Sequence, residues 1–78
     1  MAEVRIYVAE GCHLCEAAVD VVRTVCVDDF ELVDITGDDD LEQRYRVLIP
    51  VVEIDGEERF RFEVDEHALR AAVSGTSA

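Results

Sequence analysis

The chain has 78 residues, with 19 acidic residues against 7 basic ones, all arginine; half its residues are apolar and its net charge is −12. That length suits one small folded domain and no second one, and the composition is globular rather than disordered. The acidic surplus argues against nucleic acid and against anionic membranes, since both are bound through clustered positive charge.

Val4-Arg5-Ile6-Tyr7-Val8 is β-branched and alternating and stops at Glu10-Gly11, which predicts a first strand with Val4, Ile6 and Val8 on one face. From Cys12 to about Cys26, Leu14, Ala17, Ala18, Val21, Val22 and Val25 recur at helical spacing between charged residues, so an amphipathic helix is expected. Phe30 to Ile35 returns to an extended pattern and ends at Thr36-Gly37. Asp38-Asp39-Asp40 then offers an N-cap and a negatively charged first turn for a short helix from Asp39 to about Arg46, with Leu41 and Tyr45 inward. Pro50 opens a strand through Ile54, and Asp55-Gly56 suits a tight hairpin turn. The return strand runs from Arg59 to Val64, with Phe60, Phe62 and Val64 on one side. Asp65 caps a last helix through Val73 that buries Ala68, Leu69 and Ala72. Residues 1–73 form the domain and 74–78 a flexible tail.

The order β-α-β-α-β-β-α makes this an α/β chain. Its first two strands, joined by a helix, should be parallel, and its last two an antiparallel hairpin, giving a four-stranded mixed sheet flanked by helices. Ligand chemistry in such sheets sits beyond the carboxyl end of a strand that feeds a helix, and Gly11 and Cys12 occupy that point.

Three cysteines are an odd number, whereas the disulfide framework of a small secreted protein uses an even set. No apolar run approaches the ~20 residues of a spanning helix, and the first residues lack the basic-then-apolar order of a signal peptide. A cytoplasmic address is expected. Two of the cysteines stand as Cys12-His13-Leu14-Cys15. The reactive form of cysteine is the thiolate, which the unpaired amides of a helix N-terminus favour, and Cys12 sits at that junction. Cys15 returns to the same face one turn later, placed to attack a mixed disulfide on Cys12 and expected to be the more buried. A helix terminus contributes ~0.3 to 2 kcal/mol to a nearby anion, and Glu10, Glu16 and the overall charge oppose it. A moderately reactive thiol is the expectation. His13 either tunes Cys12 or stands in solvent, and Cys26 fills core space as a small hydrophobe. Neither Cys26 nor His67 shows knuckle spacing to the pair, so no metal site is expected.

Tyr7, Gly11-Cys12-His13-Leu14-Cys15-Glu16, the run from Arg44 to Ile49-Pro50-Val51-Val52, and Asp55-Gly56 together resemble the glutaredoxin-like branch of the thioredoxin fold superfamily. More narrowly, they are similar to the small glutaredoxin-like proteins that carry Cys-x-Leu-Cys. The resemblance covers residues 3 to about 73. It implies that Cys12 is the nucleophile and Cys15 the resolving thiol. It also implies that Pro50 is a cis-proline facing the pair, with the Ile49 backbone adding a bound thiol substrate as an extra strand; Gly11 and His13, on either side of Cys12, are expected as further substrate contacts.

True glutaredoxins hold glutathione with a basic residue near the first cysteine and a Gly-Gly turn before the last helix. Here Ala9-Glu10-Gly11 precede Cys12, and Phe60 to Val64 stand where the turn would be. Efficient glutathione use is therefore not expected; glutathione stands as a candidate co-substrate, and no cofactor is called for. The expected activity is thiol-disulfide exchange on protein or low-molecular-weight disulfides by a monomer. The alternative is a non-enzymatic redox-sensing or protein-binding module that presents an acidic groove.

Overall fold

Alternation along β1 (Val4–Val8) sends side chains to both faces of one strand, and in the computed structural model, which describes residues 3–75, both faces are covered. The sheet order is β2-β1-β3-β4, with β2 at Glu31–Asp34, β3 at Val51–Ile54 and β4 at Glu57–Arg61. β1 is parallel to β2, with Ile6 opposite Leu32, and antiparallel to β3, with Ile6 opposite Val52; β3 and β4 form the antiparallel hairpin. A parallel pair needs a crossover, and α1 (His13–Cys26) supplies it. α2 (Asp39–Tyr45) and α3 (Glu66–Gly75) complete the element order expected from the sequence.

On one face, Val4, Ile6 and Val8 of β1 and Val52 and Ile54 of β3 meet Cys15, Ala18 and Val22 of α1 and Leu69 of α3. On the other, Tyr7 and Val51 join Ile35, and Leu41 and Tyr45 of α2 pack against them with Leu48 and Ile49. Both outer strands, β2 and β4, carry charged residues along exposed edges, which discourages pairing with another chain. The helix starts follow from single aspartates. Asp38 accepts the Leu41 N–H at 3.1 Å and Asp65 accepts the Ala68 N–H at 2.9 Å, caps each worth about 1 kcal/mol. Asp55 and Gly56 both adopt positive φ, 55° and 82°, as the two-residue turn of the β3–β4 hairpin requires.

Three details depart from the sequence expectation. Leu14 is 49% exposed and Ala17 is also at the surface, because the helix lays Cys15, Ala18 and Val22 on the sheet. Cysteine and alanine are small, so this stripe brings α1 close to β1. The last helix continues to Gly75, two residues beyond the expected end at Val73; residues 76–78 of the expected tail lie outside the described residues.

The third departure is at the end of β4. The β3–β4 register shifts between Val52 and Glu53, leaving Arg59 as the extra residue of a bulge, and the strand stops at Arg61. Phe62 then takes a φ of 66° and is 47% exposed. Its N–H donates to the Pro50 carbonyl at 2.9 Å, and the next N–H, of Glu63, reaches back to Arg61 at 2.7 Å. The chain therefore kinks within Phe60 to Val64, where no Gly-Gly turn stands, and does so on an aromatic residue. A left-handed φ costs a residue with a β-carbon roughly 1–2 kcal/mol, against an entropy cost for glycine of roughly 0.5–1 kcal/mol. Phe62→Gly is expected to unfold within about 1 kcal/mol of the wild type in denaturant, since relief of the backbone offsets loss of a half-exposed ring. A loss above ~2 kcal/mol would mean that the ring is a packing element.

Candidate functional site: a cysteine pair at the start of the first helix

The loop between β1 and α1 is held from several directions. Gly11 has a φ of 74°, and a side chain there would meet open space, so backbone conformation rather than room calls for glycine. The Glu10 N–H donates to the Thr36 hydroxyl at 3.1 Å, and the Ile35 N–H to the Val8 carbonyl at 2.8 Å. Thr36 in turn donates its N–H to the Asp34 carboxylate at 2.9 Å, and this backbone bond, followed by the Thr36 hydroxyl, holds the Asp34 carboxyl below its ordinary value.

Cys12 follows in extended conformation as the N-cap of α1, and its sulfur accepts the Cys15 N–H at 3.2 Å. A capping serine or aspartate would place its oxygen in the same way. Cys12 is partly buried, while Cys15 is 2% exposed and faces the core, in the order expected from the helix geometry. The two sulfurs are joined as a disulfide, with Cα atoms 5.2 Å apart. His13 stands in solvent with its side chain 98% exposed, and its Nδ1 lies 3.4 Å from a Glu16 carboxylate oxygen.

Ile49-Pro50 is a cis peptide at the start of β3. Because β3 runs antiparallel to β1, with Val51 opposite Tyr7, Pro50 lies at the carboxyl end of β1, the end from which Gly11 and Cys12 leave. Ile49 and Cys12 pack against the same core cluster. The Ile49 N–H, however, donates to the Tyr45 carbonyl at 2.9 Å. An added strand at this edge can meet the Ile49 carbonyl but not its N–H unless that bond breaks.

On the other face lies a polar group that the sequence reading did not assemble. Tyr7 and Tyr45 stack with centroids 4.2 Å apart, and their hydroxyls donate to the two oxygens of Glu53 at 3.1 and 3.4 Å. The Tyr45 phenol is pushed up to about 12, first by burial and then by Tyr7 and the Glu53 charge. The available signal was strand alternation, which puts Glu53 on the same face as Val51.

Cys26 packs partly buried against the main core, and burial first, then the Asp29 charge, raises its thiol above the ordinary value. The neutral thiol is therefore the form the fold keeps. That contribution to stability is present at neutral pH and is lost as pH rises through the raised value. In a Cys12→Ser/Cys15→Ser chain, iodoacetamide should alkylate Cys26 more slowly than free cysteine at pH 8, with the rate climbing as the pH is raised further. A rate at pH 8 equal to that of free cysteine would contradict the burial.

A mixed four-stranded sheet, a Cys-x-x-Cys pair where β1 feeds α1, and a cis-proline opening β3 define a domain of the thioredoxin fold with a close cysteine pair suited to thiol redox chemistry. Residues 3–74 match the family model described as "Glutaredoxin-like domain (DUF836)", and the chain belongs to that family. Among solved structures it is similar to the target protein XcR50 from X. campestris, at 28% identity over 92% of this chain and 96% of that one, with a TM-score of 0.79. Protein Ne2328 from Nitrosomonas europaea is 25% identical over 97% of this chain and 89% of its own, with a TM-score of 0.69. Fasciola hepatica thioredoxin, at 24% identity over 95% and 79% of the two chains and a TM-score of 0.63, shares the fold. No match was found among the curated proteins. No helix among the described residues is long and apolar enough to cross a membrane.

Proposed function

We propose that the protein is a thiol-disulfide oxidoreductase in which Cys12 is the nucleophile and Cys15 the resolving thiol. The observation that carries this reading is the Cys12 sulfur at the N-cap of α1, accepting the Cys15 N–H at 3.2 Å. The same amide, with the positive end of the helix, would stabilise a Cys12 thiolate, the form that attacks a disulfide.

Attack joins Cys12 to one sulfur of the substrate and releases the other as a thiol. Cys15, buried behind Cys12, then gives up its proton and displaces the second substrate sulfur. The pair is left as the disulfide and the substrate reduced by two electrons. Burial keeps Cys15 away from external disulfides, so the order of attack follows from accessibility. Pro50 and Ile49, at the same end of the sheet as the pair, would orient the substrate, with the Ile49 carbonyl as the available backbone contact. Gly11 holds the turn that aims Cys12. His13, exposed and beside Glu16, would touch a partner at the rim. Protein or small-molecule disulfides are the substrate class, met by a monomer. A cytoplasmic setting suits the cycle, because reduced thiol pools there return the pair to the dithiol.

Reduced Cys15→Ser/Cys26→Ser protein, mixed with bis(2-hydroxyethyl) disulfide, should accumulate a hydroxyethylthio adduct on Cys12, seen as a stable intact-mass increase. The Cys26→Ser protein should pass through that adduct to the internal disulfide. Absence of the adduct in the first protein would count against Cys12 as nucleophile.

A further inference from the structure

A cavity of about 450 Å³ opens beside the cysteine pair on the side away from Pro50. It is lined by Cys12 and Cys15, by Val19 and Leu32, and by the acidic residues Glu10, Glu16 and Asp20. Leu32 belongs to β2, the neighbour of β1 on one side, whereas Pro50 opens β3, its neighbour on the other. The cavity is thus distinct from the cis-proline edge, where the Ile49 N–H is already committed to Tyr45. Its size is that of a small-molecule site, and an apolar wall with a few polar groups is the usual lining of one. Among the described residues no basic side chain lines it.

We propose that this cavity receives small disulfides bearing alkylammonium groups, with the methylene chain against Val19 and Leu32 and the cation among Glu10, Glu16 and Asp20. This rests on the oxidoreductase reading and names the substrate class for it. The Cys12 thiolate bonds to one sulfur of the substrate as its S–S bond breaks, and the departing aminoalkyl thiolate takes a proton from water. Cys15 loses its proton and bonds to the Cys12 sulfur, releasing the second aminoalkyl thiol. The substrate gains two electrons, the pair loses two, and dithiothreitol returns the pair to the dithiol. A carboxylate-bearing disulfide would meet like charge at the same wall, which slows encounter and weakens binding.

Turnover of cystamine, neutral bis(2-hydroxyethyl) disulfide and anionic 3,3′-dithiodipropionate should be compared with dithiothreitol as reductant. Each rate is divided by that of dithiothreitol alone with the same disulfide, which removes the intrinsic leaving-group difference. The expected normalised preference for cystamine over the neutral disulfide is roughly 5- to 30-fold at low salt, with the anionic disulfide slowest. Glu16→Gln/Asp20→Asn should bring the ratio close to one. Asp39→Asn/Asp40→Asn, which removes the same charge from the start of α2, should leave it in place. Equal normalised rates for cystamine and the neutral disulfide would overturn the proposal while leaving the oxidoreductase reading intact. So would a preference that survives Glu16→Gln/Asp20→Asn, or one lost equally in the α2 control. Failure to reduce any of the three disulfides would sink the oxidoreductase reading itself, and the proposal with it.

Discussion

Replacing Cys12 by serine is expected to bring disulfide reduction down to the uncatalysed rate, a fall of at least about 100-fold, with the reduced protein still folded. The two halves of that expectation come from one position. As a helix cap, serine is among the preferred residues, and its oxygen can take the Cys15 N–H that the Cys12 sulfur accepts at 3.2 Å. As a nucleophile at neutral pH it is far weaker, because its hydroxyl stays protonated where a thiol is partly ionised. Circular dichroism and unfolding midpoint of the reduced variant should therefore match those of the reduced wild type while turnover vanishes. Cys26→Ser should keep turnover, since that thiol packs against the core away from the pair. Substantial turnover in Cys12→Ser would move the chemistry to another residue.

Ile6→Ala should be the most destabilising single change that leaves the site residues in place. Ile6 is wholly buried at the centre of β1, between Leu32 of β2 and Val52 of β3, and its side chain lies in the cluster that receives Cys15, Ala18, Val22 and Leu69. Truncation removes three carbons' worth of buried surface and leaves a cavity that a two-sided sheet cannot close, at a cost of ~2–5 kcal/mol. A chain of this size has roughly 4–12 kcal/mol of stability in all, so the variant should lose roughly 8–40 °C from its melting temperature. Leu14→Ala, at an exposed position, should change stability by no more than about 0.5 kcal/mol. Similar melting temperatures for Ile6→Ala and the wild type would contradict the central place of β1.

Most of the fold was legible because its signals are local. The alternation of Val4, Ile6 and Val8, the aspartates at 38 and 65, and the Asp55-Gly56 turn each act within a few residues, and all appear where they were read. The Cys12 cap was legible for the same reason, since the junction of strand and helix is marked by Gly11. The contacts that escaped depend on distant partners. Phe62 carries the periodicity of a strand residue, but the Arg59 bulge and the bond from its N–H to Pro50 end the strand before it. Leu14 shares the apolar spacing of α1, yet it stands half exposed, because the helix is turned so that the small side chains of Cys15 and Ala18 face the sheet. Glu53 gathers the hydroxyls of Tyr7 and Tyr45 from 46 and 8 residues away; strand alternation sets its face, but nothing local brings the two rings to it. The cavity beside the pair likewise joins Leu32 of β2 to Glu16 and Asp20 of α1.

On the proposed function, Cys12 and Cys15 act as one reversible two-electron couple. This is tested most directly by equilibrating the Cys26→Ser protein in buffers of graded redox potential, quenching with an alkylating agent and weighing the intact chain. Two alkyl groups should appear together, along a two-electron transition whose midpoint falls between roughly −120 and −270 mV, the span of catalytic pairs in this chemistry. A pair that stays oxidised well below about −300 mV, or takes up one label without the other, would contradict it.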